Sequence, residues 1–184
     1  MALGTLAFEI GRRIGMHPAA SWLFCRIEKW LPLDRIARRG SLVAFHHPRP
    51  TQHPHVLIVP TTPVASLVSH RKSEPELAVL IWEMVELARG IAPQLPPAET
   101  WQLVINGGTR QHIGQLHGHL LHGASRAGQD SLLVHDPADD MTAWRRIFAG
   151  IANEATTPGS GYSLFIRWST NDIPMAGISR NTRT

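Results

Sequence analysis

Apolar and polar positions repeat at two different periods along this chain, and the switches between them mark its elements. Residues 3–16 and 19–32 bring apolar side chains round every three or four positions, which predicts two helices. In the second, Trp22, Leu23, Ile27, Trp30 and Leu31 form the stripe and Ser21 can begin it. Leu31-Pro32-Leu33 ends the segment and Arg39-Gly40 marks a turn. Residues 41–47 and 53–60 are short apolar runs separated by Pro48-Arg49-Pro50-Thr51-Gln52, the pattern of a strand pair with a wide loop. The second run is apolar at nearly every position and belongs at the centre of a sheet.

A helical turn over 63–70 precedes Ser73-Glu74-Pro75-Glu76, which opens a long helix to about Gly90. Ser73 is its N-cap, acidic residues fill its first turn, and Leu77, Leu80, Ile81, Met84, Val85, Leu87 and Ala88 make a broad apolar face. Trp101–Asn106 reads as a strand and Gly107-Gly108-Thr109 as a turn, with a further strand over Gln115–Leu121. Ala124–Asp130 is a polar loop. Asp139-Asp140 starts a helix carrying Met141, Trp144, Ile147, Phe148 and Ile151 on one side, and Tyr162–Trp168 is a strand. The tail from Asn171 is expected to be loose.

Composition narrows the class without naming a function. A chain of 184 residues builds one good core, and 43% hydrophobic with 17% charged residues excludes a disordered or collagenous protein. No window reaches the roughly 18 uninterrupted apolar residues of a membrane span, and Glu9, Arg12 and Arg13 interrupt any secretory pattern. A cytoplasmic protein is expected. The single Cys25 forms no intrachain disulfide and reads as a small buried hydrophobe. Of the net +4, the excess sits in residues 1–40, where seven basic side chains face three acidic ones. Such a bias favours phosphate-bearing ligands or an anionic surface, although dispersed charge is more often a solvated face.

The candidate chemistry lies in Arg110–Gly123. An extended backbone there puts Gln115, His117, His119 and Leu121 on one face and Leu116, Gly118, Leu120 and His122 on the other. Two imidazoles two residues apart on a strand project side by side, so that one can attack while its neighbour donates a hydrogen bond. The eleven histidines also cluster upstream at His46, His47, His53 and His55. Two clusters facing each other would make one site.

Gln115-x-His117-x-His119, preceded by Gln111 and followed by Gly123, resembles the histidine-triad (HIT) signature, closest to its Hint-like branch. The Ala44-Phe45-His46-His47 and His55–Pro60 strands also look like that family. The resemblance covers about residues 41–123. It implies an α+β HIT-like fold: an antiparallel sheet of about five strands, one long helix and a short one. Residues 1–40 become an N-terminal helical extension and 124–184 a C-terminal extension packed on the core. The implied activity is hydrolysis or nucleotidyl transfer at an α-phosphate, through a covalent intermediate on the middle histidine. His117 takes the nucleophile position, His119 the third triad position, and Gln115 the first. His55 and Gln111 approach the phosphate, Asn106 stands near a phosphate-loop Asn, and Phe45 and His47 line the nucleotide side. No cofactor is implied. The partners implied are a nucleotide-like substrate and a second copy, in a homodimer built across the sheet edge and the long helix.

Four departures stand out. Gln115 replaces a His; His47 replaces an acidic ribose ligand; His112 replaces a Ser that protonates the leaving amine, a role open to an imidazole. Pro63 replaces a further His. Two other readings compete: a metal site on His117, His119 and His55 or His47, with Asp130 or Asp136 as base, and a binding module in which Trp22, Trp30 and the basic N-terminal helices engage nucleic acid or an anionic membrane.

Overall fold

In the computed structural model, residues 18–68, 72–123, 131–170 and 172–180 are described. The helix expected over 3–16 and the loop expected over 124–130 lie outside them. In chain order the elements are α1 (Pro18–Ile27), a 3₁₀ turn (Glu28–Trp30), β1 (Arg35–Arg39), β2 (Leu42–His46), β3 (His55–Pro60), α2 (Glu74–Ile91), β4 (Trp101–Gly108), β5 (Gly118–His122), β6 (Leu132–Leu133), α3 (Thr142–Ala155), β7 (Gly161–Trp168) and β8 (Met175–Arg180). One antiparallel sheet holds all eight strands in the order β1-β2-β3-β5-β4-β7-β8-β6.

The five expected strands are β2, β3, β4, β5 and β7. Three more come from the ends of the chain. Arg35–Arg39, polar and short, pairs on β2. The tail, expected to be loose, instead forms β8, because Met175–Arg180 pairs with β7 over six positions and buries Ala176 against the core. Strand pairing supplies what the local pattern lacks.

Paired residues on neighbouring strands share a face, so the registers divide the sheet in two. One face carries Leu42, Ala44, Val56, Ile58, Leu120, Leu103, Ile105, Leu164 and Ile166. It packs under α2, through Ile81, Met84 and Val85, and under α3, through Trp144, Ile147 and Ile151. Ser73 caps α2, its N–H and Oγ both donating to Glu76 Oε2 at 2.7 Å. The other face carries a smaller cluster, Val43, Phe45, Leu57 and Val59, covered by Phe24 of α1 and by Leu33.

Within the core, β4 would be an edge strand. Here β7 pairs with it along all eight residues, Trp101↔Trp168 to Gly108↔Gly161, while α3 lies beside α2. The C-terminal segment therefore occupies both surfaces that the resemblance assigns to a second copy. A dimer formed by pairing on β4 has no free edge to use. The sheet ends at β1 on one side and at the two-residue β6 on the other.

Candidate active site

The histidine face of the sheet reads directly from the registers. Phe45, Leu57, His119, Val104 and Phe165 form one row across five strands. His55, Leu121, Gln102 and Arg167 form the next. On the other side, Asn106 pairs with Ser163, and continuing the Ile105↔Gly118 register by one residue sets His117 opposite Asn106. Four imidazoles converge here. His47 stacks on His55 with ring centroids 4.1 Å apart, His55 lies 5.1 Å from His119, and His119 lies 5.0 Å from His117.

Gly118 lets this strand sit close to the helix. A Cβ there would stand 2.7 Å from Leu103 Cδ1 and 3.0 Å from Met84 Cε, so the residue between the two histidines has no room for a side chain.

The hydrogen bonds set the tautomers. His117 Nδ1–H donates to the backbone carbonyl of Gln115 at 2.8 Å, which leaves the lone pair on Nε2. The acceptor is main chain, so the departure at 115 leaves it in place. The Gln115 side chain, 2% exposed, is fully engaged elsewhere: Nε2 donates to Pro60 O at 2.7 Å and Thr62 O at 3.1 Å, while Oε1 accepts from Ser21 Oγ and from Val64 N. It ties α1 and the end of β3 to the triad strand.

A second relay runs from the other side. Thr51 N–H faces His55 Nδ1 at 3.4 Å, so the His55 proton sits on Nε2 and points to His119 Nδ1 at 2.9 Å. His119 then carries its own proton on Nε2, as a donor. His47 Nδ1 accepts the Arg49 N–H at 3.0 Å.

Burial keeps these rings neutral. Desolvation is the first cause in each case: it lowers His117, lowers His119 well below the usual range, lowers His47, and brings His55 down to about 4, with the neighbouring imidazoles adding to the effect. An unfolded histidine titrates near 6.5. On acidification the unfolded chain therefore takes up protons first, so the stability these groups contribute is complete above about pH 7 and is withdrawn as pH falls from about 6.5 toward 4. Thermal melting is expected to shift downward steeply over that interval, and less steeply in His55→Gln. Parallel curves for the two proteins would refute the assignment.

The other sequence candidates divide between walls and floor. Phe45 is 4% exposed and forms part of the floor beneath Phe24 and Leu33. Gln111, 3% exposed, donates through Nε2 to Ala65 O at 2.6 Å and Ile113 O at 2.8 Å, and so pins the loop before the triad. His112 is exposed and lines a groove of about 320 Å³ with Asn106, Thr109, Arg110, Gly159, Gly161 and Ser163. Asn106, which stands opposite His117, also lines it, so the groove adjoins His117. Asn106 Oδ1 accepts from Ser163 Oγ–H at 2.7 Å, which leaves its Nδ2 as the donor end.

For a metal, the residues brought together are His47, His55 and His119, whose ligand atoms lie within 4.8 Å of one another; His117 is not in that group. Metal-bound histidines usually donate their second ring N–H to an acceptor. Here the Nδ1 atoms of His47 and His55 face backbone N–H donors instead, an arrangement that suits a neutral imidazole network better.

The N-terminal features expected to meet nucleic acid are partly used inside the fold. Glu28, 1% exposed, pairs with Arg35 at 3.4 Å and Arg38 at 3.2 Å. Trp30 is 86% and Trp22 54% exposed, the latter with Arg26 5.0 Å above its ring. Cys25 is only partly buried, yet its thiol is pushed up to about 11, first by desolvation and then by Glu28. No helix among the described residues is long and apolar enough to cross a membrane.

An α+β sheet that gathers a His-x-His strand and two further histidines on one face has the layout of the histidine-triad class. No family model matches the chain. An uncharacterised HIT-like protein of Synechococcus elongatus is 30% identical over 103 residues, which are 55% of this chain and 88% of that protein. The chain therefore belongs to the HIT family.

Among solved structures, it is similar to a HIT family hydrolase from Clostridium thermocellum (26% identity, 58% of this chain and 94% of that one, TM-score 0.48). It is also similar to one from Legionella pneumophila (24%, 58% and 96%, TM-score 0.44). Yeast Ap4A phosphorylase Apa2 in complex with AMP aligns at 9% identity over 82% of this chain and 60% of that one, with a TM-score of 0.47.

Proposed function

We propose that the chain is a HIT-type nucleotide hydrolase or nucleotidyl transferase that cleaves a P–N or P–O bond at an α-phosphate through a covalent intermediate on His117. The observation that carries this is the His117 Nδ1–H bond to the Gln115 carbonyl, which presents Nε2 as a neutral nucleophile beside a donor, His119. His117 Nε2 attacks phosphorus, and the P–X bond breaks with its electron pair leaving on X. A leaving amine takes its proton from His112 at the groove mouth. Water or another acceptor oxygen then attacks the nucleotidyl-histidine, loses its proton, and regenerates the free imidazole. His119, oriented by the His55 hydrogen bond behind it, and the Nδ2 of Asn106 hold the non-bridging oxygens where charge is redistributed.

This chemistry needs no metal. The His47, His55 and His119 cluster supports a second reading, a metal-dependent hydrolase. The decisive measurement is turnover of adenosine 5′-phosphoramidate and a panel of nucleoside phosphoanhydrides by chelator-treated protein. Release of nucleoside monophosphate, with a nucleotidyl adduct on His117 in acid-quenched protein, is the expected result. Activity that vanishes with the chelator and returns with zinc would transfer the proposal to the metal reading. No turnover in either condition, with the protein folded, would leave a silent binding module.

A further inference from the structure

We propose that the outer side of α1 and the 3₁₀ turn after it docks the protein on an anionic lipid surface. The inference is independent of the chemistry assigned to His117 and concerns side chains that chemistry does not use.

Exposure is the first support. The inner side of α1 is fixed to the fold: Ser21 bonds Gln115, and Phe24 covers Val43, Phe45, Leu57 and Val59. The outer side carries Trp22 and Arg26, four residues apart and so neighbours on the helix surface, with Ile27 beside Arg26. The 3₁₀ turn follows directly and exposes Lys29 and Trp30. Trp22 is 54%, Ile27 37% and Trp30 86% exposed. The other four tryptophans pack in or against the core, so outward-facing indoles are confined to this one segment. A single apolar side chain on a surface needs no explanation; two indoles and an isoleucine in one short stretch, edged by cations, mark a contact surface.

Charge is the second. Residues 18–40 hold five basic side chains against two acidic ones, Glu28 and Asp34. Glu28 is 1% exposed and pairs with Arg35 and Arg38, so its charge is neutralised inside the fold. Arg26 and Lys29 are exposed, and among the described residues no carboxylate lies in ion-pair range of either. Cations beside exposed tryptophans complement a leaflet of anionic headgroups, where an indole rests at headgroup level with its apolar body toward the acyl chains. A single-stranded nucleic acid would instead need open ring faces on which its bases stack. Arg26 lies 5.0 Å over the Trp22 ring and covers one of its faces, and Ile27 offers a base nothing to stack on. Lipid is the occupant this surface fits.

Flotation of the full chain with vesicles of mixed phosphatidylcholine and phosphatidylserine tests the proposal. Binding is expected, with a blue shift of tryptophan emission, and it should weaken as salt is raised. Replacing both tryptophans, Trp22→Ala with Trp30→Ala, is expected to weaken it about ten-fold or more. Arg26→Gln and Lys29→Gln should each cost about five-fold. These side chains are exposed, and melting curves that match wild type confirm that the variants are folded. The readout needs no turnover, so it succeeds or fails apart from the His117 reading. Failure to float with the anionic vesicles overturns the proposal. So does equal binding to pure phosphatidylcholine, or binding that survives loss of both tryptophans. A single-stranded oligonucleotide that binds through the same residues while vesicles go unbound would assign the surface to nucleic acid instead.

Discussion

His117→Ala is expected to lower kcat for any nucleotide substrate by at least about 10⁴-fold, with little change in melting temperature. On the proposed mechanism the loss is large because the covalent route disappears, leaving only positioning by the groove and donation by His119. The fold should tolerate the change, since among the described residues the imidazole makes a single hydrogen bond, to the backbone carbonyl of Gln115. His119→Ala removes a donor to the phosphate and is expected to cost about 10²- to 10³-fold, with the nucleophile intact. Rapid-quench measurement of the adduct separates the two: no adduct forms in His117→Ala, whereas a slow one forms in His119→Ala. An active His117→Ala protein would place the chemistry elsewhere.

Gly107→Ala is expected to produce the largest loss of stability among single methyl additions to the sheet. Gly107 pairs with Tyr162 in the β4–β7 ladder, and the Tyr162 ring occupies the space a Cβ would take. That ring is fully buried, so it has no solvent-filled space to retreat into. Overpacking at such a site costs about 3 kcal/mol, which lowers the melting temperature by about 6–12 °C in a chain of this size. Gly90→Ala is the matching control. Nothing lies within 4 Å of its Cβ position and it sits inside α2, so the same methyl is expected to stabilise by about 0.5–1 kcal/mol. Equal melting temperatures for the two variants would show that β7 does not clasp β4 as described.

The local pattern of the chain carried the core elements because their signals are local. The Ser73 cap with Glu76 three residues on, the apolar face from Leu77 to Ala88, and the two runs on either side of Pro48–Gln52 each lie within one window. The His-x-His spacing likewise puts two imidazoles on one face of any extended strand, whatever surrounds it. The sequence could also show that Gln115 departs from the triad. It could not show that the departure leaves the His117 acceptor untouched, since that acceptor is a backbone carbonyl and its direction depends on the loop pinned by Gln111.

Long-range pairing decided the rest. Strands β1 and β8 have weak local patterns and exist because β2 and β7 offer them hydrogen-bonding edges. Ser163 carries no motif, and Arg110 drew no assignment beside the histidines. Only the β4–β7 register, closed across more than fifty residues of chain, brings Ser163 beside Asn106 and within reach of Arg110. The meeting of His47, His55 and His119 likewise needs β3 and β5 to lie side by side. Sequence by itself determined the types of the core elements and the residues with chemistry to offer, because propensity and periodicity are properties of short segments. Tertiary structure alone decided which of those residues share a face, which way each imidazole proton points, and that β4 is paired by the chain's own β7, because those depend on contacts between segments far apart in the chain.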